Sequence, residues 1–327
     1  MSRLKSAVLA LIASVLSAVA AHAQSPMPGG AINENLGEMD YGVCRGTDPK
    51  CFHDWPRAKT TEYRVLLYTR TAGPRHQDLG TPLAAGLNPP LAPDNVVQRE
   101  MLRLATANGI KLDYTEDESQ ITRLSGYNAV IFYSTSRDNL NDDGKTALRQ
   151  YMRAGGGFVG IHNAFGTLYN WPYYEGLLGG ANFYDHGPER SGDVVIVDAK
   201  DASTKGLPSR FAFKDEWYNL VPFPTHVRFL ATVDETSWKP VEREFTGPPP
   251  GAPPRQPQLP SVVGRDPGHG GFHPVAWCQY YDGGKAWVTT LGHDAGDFDD
   301  QFAGAKQFQS LIIGGIKSVM GAEPFCR

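Results

Sequence analysis

Five side chains in this 327-residue chain suit a single reaction centre: His76, His162, His186, Glu216 and His293. His76, His162 and His293 each follow an apolar run and a small or turn residue. Neutral imidazoles together with a carboxylate suit a divalent transition metal, zinc first, with a coordination position left open for water or a substrate oxygen. Such a metal would polarise a carbonyl or activate water. The expected metal set is His162, His186, Glu216 and His293, with His162, His293 and Glu216 as the catalytic groups. Two other readings stay open. One is a metal-free site with histidine as proton shuttle and a carboxylate as its partner. The other is histidines that only hydrogen-bond their own loops, since the spacing is scattered and no H-E-x-x-H occurs.

Substrate contacts are expected from His76, Asn163, Trp171, Tyr184, Trp217, Tyr218 and Asp294. Asn163 and Asp294, with Asp185, are polar enough to hold hydroxyls, and Asp294 could equally orient His293. Tyr169, Trp171, Tyr173, Tyr174, Phe183, Tyr184, Trp217 and Tyr218 flank the same stretches. Such rings can stack on the flat face of a ligand, although large aromatics also fill any core.

His162 needs a strand end to be useful. The run Gly155-Gly156-Gly157-Phe158-Val159-Gly160-Ile161-His162 reads as a helix stop, a short buried strand and a turn. In a parallel α/β sheet, functional groups gather beyond the carboxyl ends of strands. Further strands are expected at Arg64–Thr69, Ile110–Tyr114 and Tyr127–Ser134, alternating with helices at Asn95–Asn108 and Lys145–Ala154, the second capped by Asn141 or Asp142. That rhythm predicts one α/β domain in which Arg64–Thr69, Tyr127–Ser134 and Gly157–Ile161 are neighbouring parallel strands. Later, Asp193–Asp198 and Arg228–Val233 read as strands. Val275–Tyr281 and Ala286–Leu291 read as a hairpin around Asp282-Gly283-Gly284, and Asp300–Met320 as a closing helix. Phe183–Pro188 reads as a loop.

Residues 1–23 read as a signal peptide: Arg3 and Lys5, a small and apolar run from Ala7 to Ala20, and an Ala21-His22-Ala23 cleavage site. A periplasmic or secreted protein is expected, with no membrane contact after cleavage. Removing 23 residues from 327 leaves 304, enough for one large α/β domain or two small ones. Losing the two basic residues takes the formal charge from −4 to −6, which argues against nucleic acid and against a polybasic membrane contact. Four cysteines in an oxidising compartment point to disulfides, and of three possible pairings Cys44–Cys51 with Cys278–Cys326 is favoured. Residues 24–62 read as an N-terminal arm and about 239–272 as a Pro/Gly-rich insertion.

Taken together, these motifs resemble the ThuA-like, trehalose-utilisation family. The resemblance rests on Arg75-His76, the glycine run ending at His162, Trp171-Pro172-Tyr173-Tyr174-Glu175-Gly176-Leu177-Leu178-Gly179-Gly180, and His186. It rests also on Asp215-Glu216-Trp217-Tyr218, His273-Pro274-Val275-Ala276-Trp277 and Gly292-His293, and it spans roughly residues 63–320 of a domain drawn at 63–322. Trp217 stands where the family usually has Leu or another apolar residue before the Tyr of this motif. The resemblance implies a flavodoxin-like sheet, parallel with a mixed edge and helices on both faces, related to class I glutamine amidotransferases. It also implies a role in sugar metabolism, in disaccharide breakdown through keto-sugar intermediates. Amidotransferases of that class carry a nucleophilic cysteine on the turn after a strand. Here that turn carries His162, so thiol-dependent amide hydrolysis is not expected. The expected partner is a small-molecule carbohydrate, with a homo-oligomer compatible. Two functions remain: an enzyme (hydrolase, isomerase or lyase) and a non-catalytic carbohydrate-binding or accessory protein.

Overall fold

The computed structural model describes residues 39–40, 42–55, 62–239 and 268–327. The expected signal peptide, most of the arm and most of the insertion lie outside these residues. Strands β1 (Met39–Asp40) and β2 (Val43–Gly46) form a short antiparallel pair before the first long strand, β3 (Arg64–Tyr68). Helix α1 (Val96–Ala107) buries Val97, Met101, Leu104 and Ala105 on one stripe and leads to β4 (Lys111–Thr115). Strand β5 (Ala129–Tyr133) is buried throughout. Helix α2 (Asp142–Arg153) starts where the Asn141 side chain accepts from Gly144 N at 2.9 Å, with Asp142 and Asp143 in the first turn to complement the helix dipole. It stops at Gly155, whose φ of +86° is the left-handed conformation glycine adopts freely. Strand β6 (Gly157–Ile161) follows at once.

The second half contains α3 (Pro172–Leu177), β7 (Phe183–His186), β8 (Arg190–Ile196), β9 (Arg210–Asp215), β10 (Tyr218–Leu220) and β11 (Arg228–Asp234). The hairpin β12 (His273–Tyr281) and β13 (Gly284–Thr289) and the helix α4 (Ala305–Met320) complete it. The sheet runs β4-β3-β5-β6-β13-β12-β11-β8-β9. Its first five strands are all parallel, so their chain order across the sheet is 2-1-3-4-5, the flavodoxin-like order. From β13 onward the pairing is antiparallel.

Alternation along the parallel strands sends side chains to two covered faces. Leu66, Tyr68, Val130, Phe132, Phe158, Ala286 and Val288 share one core with Leu148, Tyr151 and Met152 of α2 and Tyr174 and Leu177 of α3. Val65, Leu67, Ile131, Tyr133, Val159, Ile161 and Trp287, also buried, point to the opposite face. There α4 contacts β5, β6 and β13, and α1 contacts α4.

The three strands expected to be parallel neighbours are β3, β5 and β6, and they are. The differences lie later. Phe183–His186, read as loop, is the strand β7 paired with β10 in a separate two-stranded sheet. Arg210–Asp215 was not read as a strand, yet it alternates exposed and buried along its length as β9. The closing helix starts at Ala305, because Asp299 and Gly304 turn the chain first. Both favoured disulfides are present, Cys44–Cys51 and Cys278–Cys326, with Cα atoms 5.4 and 5.7 Å apart. No helix among the described residues is long and apolar enough to cross a membrane.

Candidate metal centre

His162 begins the turn His162–Gly166 directly after β6. Its φ is +52°, a left-handed conformation uncommon for a residue with a Cβ. It is fully buried, and its Nδ1 lies 2.9 Å from the carbonyl of Thr290, just beyond β13. A carbonyl only accepts, so Nδ1 carries the proton and Nε2 presents a bare lone pair. That lone pair faces His76 Nε2 at 3.1 Å, His293 Nδ1 at 3.3 Å and the Tyr218 hydroxyl at 2.9 Å.

Each partner has its own support. Arg75 ties the loop after β3 to the end of β4, donating to Gly80 O at 2.7 Å, Leu79 O at 3.0 Å and Glu116 Oε1 at 2.8 Å, which places His76. His293 follows Gly292, where φ is +120° and an added Cβ would meet Ile161, the Tyr133 hydroxyl and Phe308 at 3.0–3.1 Å. Only glycine fits that turn. Asp215, the last residue of β9, is fully buried and accepts from Gly292 N at 2.9 Å and from Glu216 N at 2.7 Å. One carboxyl therefore pins the backbone of Glu216 and of Gly292, the residue before His293. Burial, and then the nearby Asp297, pushes that carboxyl well above its usual range.

Tyr218 is held from behind. His273 Nε2 lies 3.0 Å from the Tyr218 carbonyl, and its Nδ1 lies 2.8 Å from Glu235 Oε1. Glu235 also accepts from the backbone N–H groups of His269 and Gly270. His269 Nε2 in turn accepts from Leu220 N at 2.9 Å, so both ends of β10 are fixed.

One ligand atom each from His76, His162, Glu216 and His293 lies within 4.8 Å of all the others. Glu216 Oε2 is 3.2 Å from His293 Nδ1. Ligands about 2.0–2.1 Å from a tetrahedral zinc stand about 3.3 Å apart, close to the His76–His162, His162–His293 and Glu216–His293 separations of 3.1, 3.3 and 3.2 Å. Neutral imidazoles crowding their lone pairs together repel unless a proton or a cation lies between them. Burial, then His293 and His186, lowers the His76 pKa to about 3. Burial, then His76 and His293, lowers that of His162 well below the ordinary histidine value. Both are neutral near pH 7, the state a ligand needs. The residues present therefore fit a divalent metal.

His76 stands in this set where His186 was expected. His186 lies one layer out, its Nε2 3.6 Å from Glu216 Oε2 and its Nδ1 donating to Gly187 O at 2.6 Å. Three expected substrate contacts spend their polar groups on the protein, and a fourth, Trp171, packs on the core. Asn163 donates to Thr135 O at 2.8 Å, and Trp217 is buried with its indole N–H on Arg190 O at 3.1 Å. Asp294 caps the turn Ala295–Phe298 by accepting from Gly296 N at 2.8 Å. Trp171 stacks on Tyr173 at 5.2 Å against the core. Tyr184 is 45% exposed and lines a neighbouring groove. Asp215 was not assigned a role from the sequence, although it directly precedes Glu216 and falls on the buried phase of β9.

A family model described as ThuA, trehalose utilisation, matches residues 64–318. A solved structure of a ThuA-like protein from Bacteroides uniformis is 19% identical, covers 81% of this chain and 95% of its own, and superposes with a TM-score of 0.55. One from Parabacteroides merdae is 16% identical, covers 80% and 91%, and superposes with a TM-score of 0.54. At these identities the likeness speaks for the fold. No curated protein matches the sequence.

Proposed function

We propose, on the premise that this chain belongs to the ThuA, trehalose-utilisation, family, that it is an exported enzyme that transforms a disaccharide or keto-sugar derivative at a zinc centre. The observation that carries this reading is the convergence of His76, His162, Glu216 and His293 within 4.8 Å. Those four residues would hold the ion. Bound there, zinc would supply Lewis-acid polarisation of a sugar oxygen or a water of lowered pKa.

The chain's own groups supply the proton transfers. Tyr218 is buried, and burial raises its hydroxyl pKa well above the ordinary value, so it keeps its proton and can donate to a sugar oxygen arriving beside His162. His186 keeps its Nδ1 proton on Gly187 O, which leaves Nε2 able to take a proton at the rim of the cleft. A polarised oxygen with a donor on one side and a base on the other suits cleavage or isomerisation next to a sugar carbonyl. Export is supported by the signal-like residues 1–23 and by two disulfides.

The test is metal analysis of the purified protein followed by turnover of a keto derivative of trehalose. About one zinc per chain is expected, with turnover lost on chelation and restored by zinc. Protein that takes up no divalent metal would overturn the reading. The aromatic groove beside the site favours the second reading, a carbohydrate-binding accessory protein. Saturable sugar binding without turnover by zinc-loaded protein would select it.

A further inference from the structure

A groove of about 700 Å³ lies at the same edge of the sheet, lined by Ala72, Arg137, Asp138, Tyr169, Asn170, Phe183 and Tyr184. That volume is in the range of small-molecule sites. Phe183 is the wall it shares with the metal centre: its ring packs 4.6 Å from that of Tyr218 and 5.8 Å from that of His186. Arg137 is the cation of this lining, and its placement is tightly determined. Its backbone is left-handed, with φ of +55°. Its N–H donates to Gly166 O at 2.9 Å, and its carbonyl accepts from Leu168 N at 3.0 Å. Arg137 is therefore tied to the turn that begins at His162. Its stem crosses Gly73 so closely that a Cβ there would stand 2.3 Å from Arg137 Cγ. Its guanidinium lies over the Tyr169 ring, 5.4 Å from the centroid. Among the described residues no carboxylate pairs with it. Asp138 lies 3.8 Å from Lys145 instead.

We infer that this groove is a substrate subsite for a sugar acid, with Arg137 taking the carboxylate and the exposed ring of Tyr184 stacking on the sugar. The inference rests on the sugar-directed reading of the metal centre. A guanidinium over an aromatic ring and without a carboxylate partner has N–H groups to offer a bidentate acceptor.

The experiment is isothermal titration calorimetry on the zinc-loaded protein and on its Arg137→Gln variant, using glucuronic acid, its methyl ester, glucose and glucose 6-phosphate. Arg137 is exposed, so the variant should fold and keep its zinc. Glucuronic acid should bind the wild type about tenfold or more tighter than the ester or glucose, the scale of one charge-assisted contact. The Gln variant should lose that preference with its affinity for glucose unchanged. Equal binding of acid and ester, a preference that survives in the variant, or glucose 6-phosphate as the tightest ligand would each overturn the sugar-acid subsite and leave the sugar-directed centre standing. Failure of all four to bind would overturn both.

Discussion

His162 combines three conditions that rarely coincide: a left-handed backbone, complete burial and a lone pair aimed at three other polar groups. A conformation of that kind costs on the order of 1–3 kcal/mol and persists where its surroundings hold it. Asparagine tolerates the same backbone. His162→Asn should therefore fold, with an unchanged circular-dichroism spectrum, yet bring metal stoichiometry close to zero. Full metal content in that variant would remove His162 from the set. Tyr218→Phe separates chemistry from binding. It deletes only the hydroxyl 2.9 Å from His162 Nε2, so metal content should be unchanged while kcat falls about 10²–10⁴-fold, the usual worth of a positioned proton donor. An unaltered kcat would leave Tyr218 a packing residue. The sequence shows the residue types of this centre but not which histidine belongs to its inner layer. His76 and His186 both sit beside turns, and only the Arg75 contacts to Leu79, Gly80 and Glu116 decide in favour of His76. Asn163 and Trp217 misled for a physical reason: a polar atom next to a site is often consumed by the loop that builds the site.

At the scale of elements, the glycine-ended helices and apolar strands of the parallel half are readable because local signals and buried pattern agree there. Strand β9 also carries its pattern openly, Arg210-Phe211-Ala212-Phe213-Lys214-Asp215, but it follows a turn-rich segment that hides it. Strand β7 owes its existence to pairing with β10, which no local signal reports. The turn after His293 is a capping box between Asp294 and Asp297, and it carries a pH dependence. Burial raises the Asp297 pKa from 3.8 to about 8. Between those values the folded chain holds a proton that the unfolded chain has released, so this group's contribution to stability falls as pH rises through the window. The slope is at most about 1.4 kcal/mol per pH unit. His76 acts in the opposite sense: its folded pKa of about 3 lies below the ordinary 6.5, so its contribution is lost as pH falls between them. Metal-free protein should therefore show a thermal midpoint that declines on both sides of mildly acidic pH. Asp297→Asn should flatten the alkaline side and leave the acid side in place. A variant with the wild-type profile would show that Asp297 does not titrate in this window.

At the scale of the whole molecule, two half-sheets meet at β13, parallel on one side and antiparallel on the other. The centre sits where they join: His162 and His293 come from the ends of β6 and β13, Glu216 from the end of β9, and Tyr218 from β10. The parallel half was legible as a parallel α/β sheet, and its flavodoxin-like character as what the family resemblance implies. The order of the antiparallel strands was not, because pairing among distant segments leaves no periodic trace in the chain. The two disulfides brace this assembly from its margins. Cys278–Cys326 joins the middle of β12 to the chain end beyond α4 across 48 residues, whereas Cys44–Cys51 spans only 7. In the chain-entropy account the longer closure restricts the unfolded chain more, by about 4 kcal/mol against about 2 kcal/mol. Cys278→Ala with Cys326→Ala should thus lower the urea-unfolding free energy roughly twice as much as Cys44→Ala with Cys51→Ala. Neither bond touches the metal centre, so both variants should retain full metal content under native conditions. Equal losses would show that native-state packing around buried Cys278, and not loop closure, sets the contribution. Metal loss in the Cys278 variant would show that β12 transmits its position to the site through His273 and Tyr218.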